Sequence, residues 1–134
     1  MSYSIFLLRF VDGEPVALDT DLLLRMTEPY VVPGGRDDGI SELRAQDGGE
    51  ADLYHASEDE EGLRCVTANH FARGEISGLL ARLALGLGAV ILPQDGGALI
   101  FREEERRHLP AAFQDGAVVI APTADAFQAA LEAC

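Results

Sequence analysis

The sequence predicts an α+β fold, a two-layer, antiparallel-rich sheet of about six strands with helices mainly on one face. Three observations carry this. Short apolar runs are bounded by Gly- and Asp-containing turns, one stretch has strong helical periodicity, and most strands follow one another through tight turns instead of alternating with helices. The chain has 134 residues, 48% of them hydrophobic. A single domain over residues 1–134 can then bury enough surface to fold without disulfides or metal.

Residues 3–10 read as a central strand, stopped by the turn cluster Val11-Asp12-Gly13-Glu14-Pro15. Asp19, Thr20 and Asp21 offer capping oxygens for a short helix over residues 22–26, which Pro29 ends. Residues 31–39 hold Pro33, Gly34, Gly35 and Asp37-Asp38 without periodicity, and read as a loop. Residues 40–45 and 51–56 flank Gln46-Asp47-Gly48-Gly49 as a hairpin, with residues 63–68 as a third antiparallel strand. The strongest helical signal is residues 74–87, where Ile76, Leu79, Leu80, Leu83, Ala84 and Leu87 share a face and Gly88 ends the run. Residues 89–93 form an apolar strand. A two-residue loop at Asp95-Gly96 would set Leu92 opposite Leu99 and Val90 opposite Phe101. The recurrence of Gln-Asp-Gly-Gly reflects two similar turns, not a duplication. Residues 102–108 read as a solvated turn, residues 117–120 as a strand, and Thr123 opens a last helix with Phe127, Ala130 and Leu131 on its inner side.

Ten Lys+Arg, all arginine, stand against 23 Asp+Glu, a formal charge of −13. Such a surface repels a phosphate backbone, so no nucleic-acid partner is expected. No window reaches the roughly 18 uninterrupted apolar residues of a membrane span, and the opening residues lack a basic leader, so a cytoplasmic protein without a membrane partner is expected. Cys65 and Cys134 are expected as free thiols, with Cys65 packed in a strand.

Several constellations bear on chemistry. Asn69, His70 and Arg73 lie between a strand end and the start of the main helix, where amide donors and the helix dipole can hold an anion; the plainer reading is that they satisfy a strand-to-helix corner. His55 and Cys65 would face each other if their hairpin centred on Glu60, the pairing needed for a thiolate nucleophile, but a one-residue shift separates them. No orienting partner or oxyanion motif accompanies them, so no catalytic residue is assigned and no enzyme is expected. Glu58, Asp59, Glu60, Glu61 and Asp37-Asp38 lack the alternating donors of a calcium loop, and no second pair supports Cys65 and His70 as zinc ligands, so neither metal nor cofactor is expected. Opposite the inner stripe of the main helix lie Gly78, Ala81, Arg82 and Leu85, a back face with one charge. Either the last helix covers it, or Gly78, Ala81 and Leu85 form an interface, including that of a homodimer.

Acidity, small size, the acidic segment at Glu58–Glu61 and the second face of the main helix point to a protein-binding module whose negative surface steers it to a basic partner protein. A small-ligand or catalytic site at Asn69, His70 and Arg73 is the alternative. In size and charge the chain is similar to the bacterial immunity proteins that block basic toxins. Its opening ten residues, from Met1-Ser2-Tyr3 to Arg9-Phe10, and the helix-strand unit of residues 79–93 resemble small acidic proteins of GC-rich bacterial genomes, a resemblance to which no activity attaches.

Overall fold

In the first half of the first strand, β1 (Ser4–Val11), every second residue turns toward the core: Ile5 and Leu7 are fully buried, Phe6 and Leu8 half-buried, whereas Arg9 and Val11 are exposed. Alternation of this kind is what one covered sheet face imposes. The computed structural model describes residues 4–56, 62–69, 71 and 74–133. After β1 come β2 (Glu14–Val16), α1 (Thr20–Thr27), β3 (Val31–Asp37), β4 (Ile40–Arg44), β5 (Glu50–Tyr54), β6 (Val66–Asn69) and α2 (Glu75–Leu87). They are followed by β7 (Val90–Pro93), β8 (Leu99–Ile100), α3 (Ala111–Gln114), β9 (Val118–Val119) and α4 (Ala124–Glu132), with 3-10 turns at Glu28–Tyr30 and Glu103–His108. The fold is α+β. Its strands join in the order β3-β4-β5-β6-β1-β7-β8-β9, with β2 paired to β1, and all pairings are antiparallel except β8 with β9.

The sheet has nine strands, more than the six expected. The segment expected to be a loop is the edge strand β3. Pro33 is tolerated there because an edge leaves one side of the ladder unpaired, and the register with β4 shifts between Val31 and Arg36 around Pro33 and Gly34. The other addition, β2, folds back on β1 through Asp12-Gly13, both at positive φ.

The register of the β7–β8 hairpin also differs from expectation. Ile91, not Leu92, lies opposite Leu99. A third residue enters the connection, with Gly96 at φ 100°, and Gly97 is pressed against Gly116 at the start of the β9 segment. A Cβ on Gly97 would fall on the Gly116 carbonyl oxygen, far inside van der Waals contact.

One core cluster joins Ile5, Leu7, Leu43, Leu53, Val66, Ala68 and Ile91 of the sheet to Leu23 of α1, most of α2, and Phe127 of α4. This is the inner face. In α2, Ile76, Leu79, Leu80, Leu83, Ala84 and Leu87 are buried as their spacing predicts, and Gly88 ends the helix at φ 68°. A second cluster, Val90, Ala98, Ile100, Leu109 and Ala117 with Phe10 and Leu92, gathers alternate residues of β7 and β8 with the segment after Glu103–His108. It covers the β7–β8 end of the outer face.

Gly74 gives α2 no side-chain cap. The cap comes from the β4–β5 turn: Glu75 N donates to Asp47 Oδ2 at 3.0 Å, and Gln46 N donates back to Glu75 Oε2 at 3.2 Å. A reciprocal cap usually made within one helix is here made between two elements. The Glu75 amide, then the Gly49 amide, stabilise the Asp47 carboxylate and hold it below its usual range.

Two consequences can be measured. Gly97→Ala is expected to cost about 1–3 kcal/mol in urea unfolding, because backbone must move to make room. Asp47→Asn is expected to lower the melting temperature at pH 7. Since the folded-state carboxylate titrates below the ordinary 3.8, its contribution is present above that pH and fades as pH falls through the lower folded value. The gap between variant and wild type should therefore close in acid, and a gap constant with pH would contradict the cap.

Candidate interaction surface

Among the described residues, nothing covers the outer face of the sheet over β4, β5 and β6, where Ile40, Glu42 and Tyr54 are exposed. Its register aligns Ile40 with Tyr54, Tyr54 with Thr67, Thr67 with Phe6, and Phe6 with Leu92, one row running across five strands. Ile40 and Tyr54 are each 40% exposed. The adjacent row is polar: Glu42 faces Asp52, Asp52 faces Asn69, and Asn69 faces Ser4. Beyond it Arg44 and Glu50 face each other and form an ion pair at 2.8 Å. Asp37 lies beside Ile40 on β3.

Glu42 opposite Asp52 is the unusual feature. Like charges directly across a ladder repel, and sheets ordinarily pair opposite ones, as Arg44 and Glu50 do one row away. Neither Glu42 nor Asp52 makes an ion pair with the described residues. A two-residue turn at Asp47-Gly48 would instead set Glu42 opposite Leu53; the observed ladder, with Arg44 opposite Glu50, is one residue off that register, so the turn alone does not reveal the Glu42–Asp52 pairing.

Behind this surface, on the inner side, lies a polar cluster that sequence reasoning missed. Arg36 Nε donates to Ser41 Oγ at 3.1 Å, Nη1 donates to Glu28 Oε2 at 2.9 Å and to the Leu24 carbonyl at 3.3 Å, and Nη2 donates to Thr27 Oγ1. Ser41 Oγ is 2.8 Å from His55 Nε2. Because the serine oxygen already accepts from Arg36, its proton is free to meet a neutral imidazole. Burial first, then the Arg36 charge, push the His55 pKa below 6.5, while Asp38 pulls the other way.

A cleft of about 390 Å³ opens beside the cluster, lined by Thr20, Leu24, Arg36, Asp37, Asp38, Gly39, His55 and Ala56. Ser41 and His55 have the spacing of a nucleophile and its base. Ser41, however, is 1% exposed and does not line the cleft. The hydroxyl is sealed from any substrate there, and the guanidinium is engaged by four acceptors within the fold. The cluster ties α1 to the β3–β5 end of the sheet.

The residues singled out in the sequence are dispersed. His55 and Cys65 do not meet: Tyr54 pairs with Thr67, one residue away from the register that would face them. Cys65 is exposed instead of packed, and its thiol is pushed up by desolvation, opposed by a hydrogen bond with Thr67. Asn69 is engaged at the sheet, where Ser4 Oγ donates to its Oδ1. His70, Arg73, Glu58, Asp59, Glu60, Glu61 and Cys134 lie outside the described residues. Gly78 and Ala81 are buried, with Ala124 of α4 over Gly78, whereas Leu85 is 36% exposed. No group of three or more His, Cys, Asp or Glu among the described residues is placed to hold a metal ion, and no described helix is long and apolar enough to cross a membrane.

No known protein family, curated protein or solved structure matches this chain. The surface must be read from its own chemistry.

His55 supplies a pH test. The unfolded state protonates near 6.5 and the folded state lower, so the stability held above pH 6.5 is lost as pH falls toward the folded value. The stability difference between wild type and His55→Gln is expected to shrink between pH 7 and pH 5 in denaturant titrations. A difference independent of pH would show that the imidazole is not held neutral.

Proposed function

We propose that the protein is a small acidic protein-binding module that works by contact with a basic partner protein. The observation that carries this reading is unbalanced surface charge. The chain has a formal charge of −13, and Arg36, Arg44 and Arg106 are already tied to Glu28, Glu50 and Glu103. Each of these pairs neutralises one acid and leaves the surplus untouched. A surplus of this size attracts positively charged proteins over a Debye length and orients them before contact. It also weakens self-association, since two copies bring the same sign together. The reading suits a cytoplasmic protein of the immunity type, whose task is to occupy a basic surface.

The test is association with a set of small proteins of graded charge, measured by calorimetry at low and physiological salt. Binding is expected to rise with the positive charge of the partner and to weaken about tenfold or more between 50 and 200 mM salt, as electrostatic steering and screening require. Binding indifferent to partner charge, or unchanged by salt, would remove the proposal.

A further inference from the structure

We infer that the open half of the outer sheet face, the Ile40–Tyr54 row with Glu42 and Asp52 beside it, is the docking surface, and that its occupant is a protein surface with an apolar centre flanked by arginine or lysine. This rests on the basic-partner reading above and names the place and the chemistry. Two observations converge on it.

The first is the apolar row. Ile40 and Tyr54 stand directly opposite each other at 40% exposure, with Thr67 and half-buried Phe6 continuing the row. The cluster that closes the β7–β8 end of this face includes neither Ile40 nor Tyr54 among the described residues. Tyrosine beside an aliphatic side chain, surrounded by polar residues, is the composition of an interface centre.

The second is the repulsion held next to that row. Glu42 and Asp52 face each other across the ladder with no ion pair among the described residues. Asp37 adds a third carboxylate beside Ile40. A guanidinium or ammonium group placed over Glu42 and Asp52 would relieve the repulsion and gain charge-assisted hydrogen bonds. A local rule is broken here with no compensation within the described fold, which is where function is sought. The same charges exclude a second copy of the chain, which would set carboxylates against carboxylates.

The test uses two peptides of equal length and charge, one alternating arginine and leucine, the other alternating arginine and serine, titrated into the 15N-labelled protein at low salt. The Arg–Leu peptide is expected to bind about tenfold tighter and to shift the amides of residues 40, 42, 52, 54 and 67. Ile40→Ser with Tyr54→Ser should abolish the difference between the peptides while the Arg–Ser affinity persists. Glu42→Gln with Asp52→Asn should flatten the salt dependence for both. Dispersed spectra of the variants establish that they fold. Equal affinity for the two peptides, shifts centred on Leu85 of α2 or on Val118 and Val119 of β9, or self-association of the free protein through this face would overturn the assignment while the basic-partner reading stands. Failure of both peptides to bind at low salt would overturn the reading itself.

Discussion

Packing of the inner sheet face against α2 is the constraint from which the rest of the structure follows. Ile5 and Leu7 of the central strand, with Leu53, Val66, Ala68 and Ile91 from the strands around it, form one continuous apolar surface, and seven of the thirteen residues of α2 join the same core. Burial at roughly 25 cal/mol per Å² makes that layer the dominant favourable contribution to folding. With the inner side fixed, strand alternation decides which residues appear on the outer side. Ile40, Glu42, Asp52 and Tyr54 stand outside because Ser41, Leu43, Ala51 and Leu53 must stand inside.

The polar cluster at one end of this arrangement serves the same layer. Arg36 carries a charge toward the inner side, where it would be costly alone. Its partners come from α1, the 3-10 turn that follows it and β4, so satisfying the guanidinium also fixes how α1 meets the sheet. His55 completes the set through its 2.8 Å contact with the Ser41 hydroxyl, its burial favouring the neutral ring. The Asp47–Glu75 exchange does the corresponding work at the start of α2, where the chain itself brings only glycine.

What could be read from the sequence was local. The spacing of Ile76, Leu79, Leu80, Leu83, Ala84 and Leu87 identifies α2, Gly88 marks its end, Asp19 and Thr123 mark the starts of α1 and α4, and Asp47-Gly48 marks the hairpin. The errors arose where tertiary context outweighs local signals. Pro33 and Gly34 argue against a strand, but an edge tolerates both, so β3 forms. The Asp95-Gly96 pair suggests a two-residue loop, but the observed register is one residue off, with Gly97 packed closely on Gly116. The Arg36, Ser41 and His55 cluster has no motif, because its members come from β3, β4 and the residue after β5, which only the folded sheet brings together. The facing of Glu42 and Asp52 depends on a one-residue shift of the same kind as at Asp95-Gly96, since a two-residue turn at Asp47-Gly48 would set Glu42 opposite Leu53.

The irregular edge at β3 has a further consequence. Its ladder with β4 is interrupted between Val31 and Arg36, and Pro33 offers no amide to an incoming strand. A straight, unbroken margin at this end would template the addition of further chains and lead toward fibrils. Proline and glycine at this border deny such growth a regular template, so a protein that leaves tyrosine and isoleucine in water on its broad side is protected from polymerising through its β3 edge.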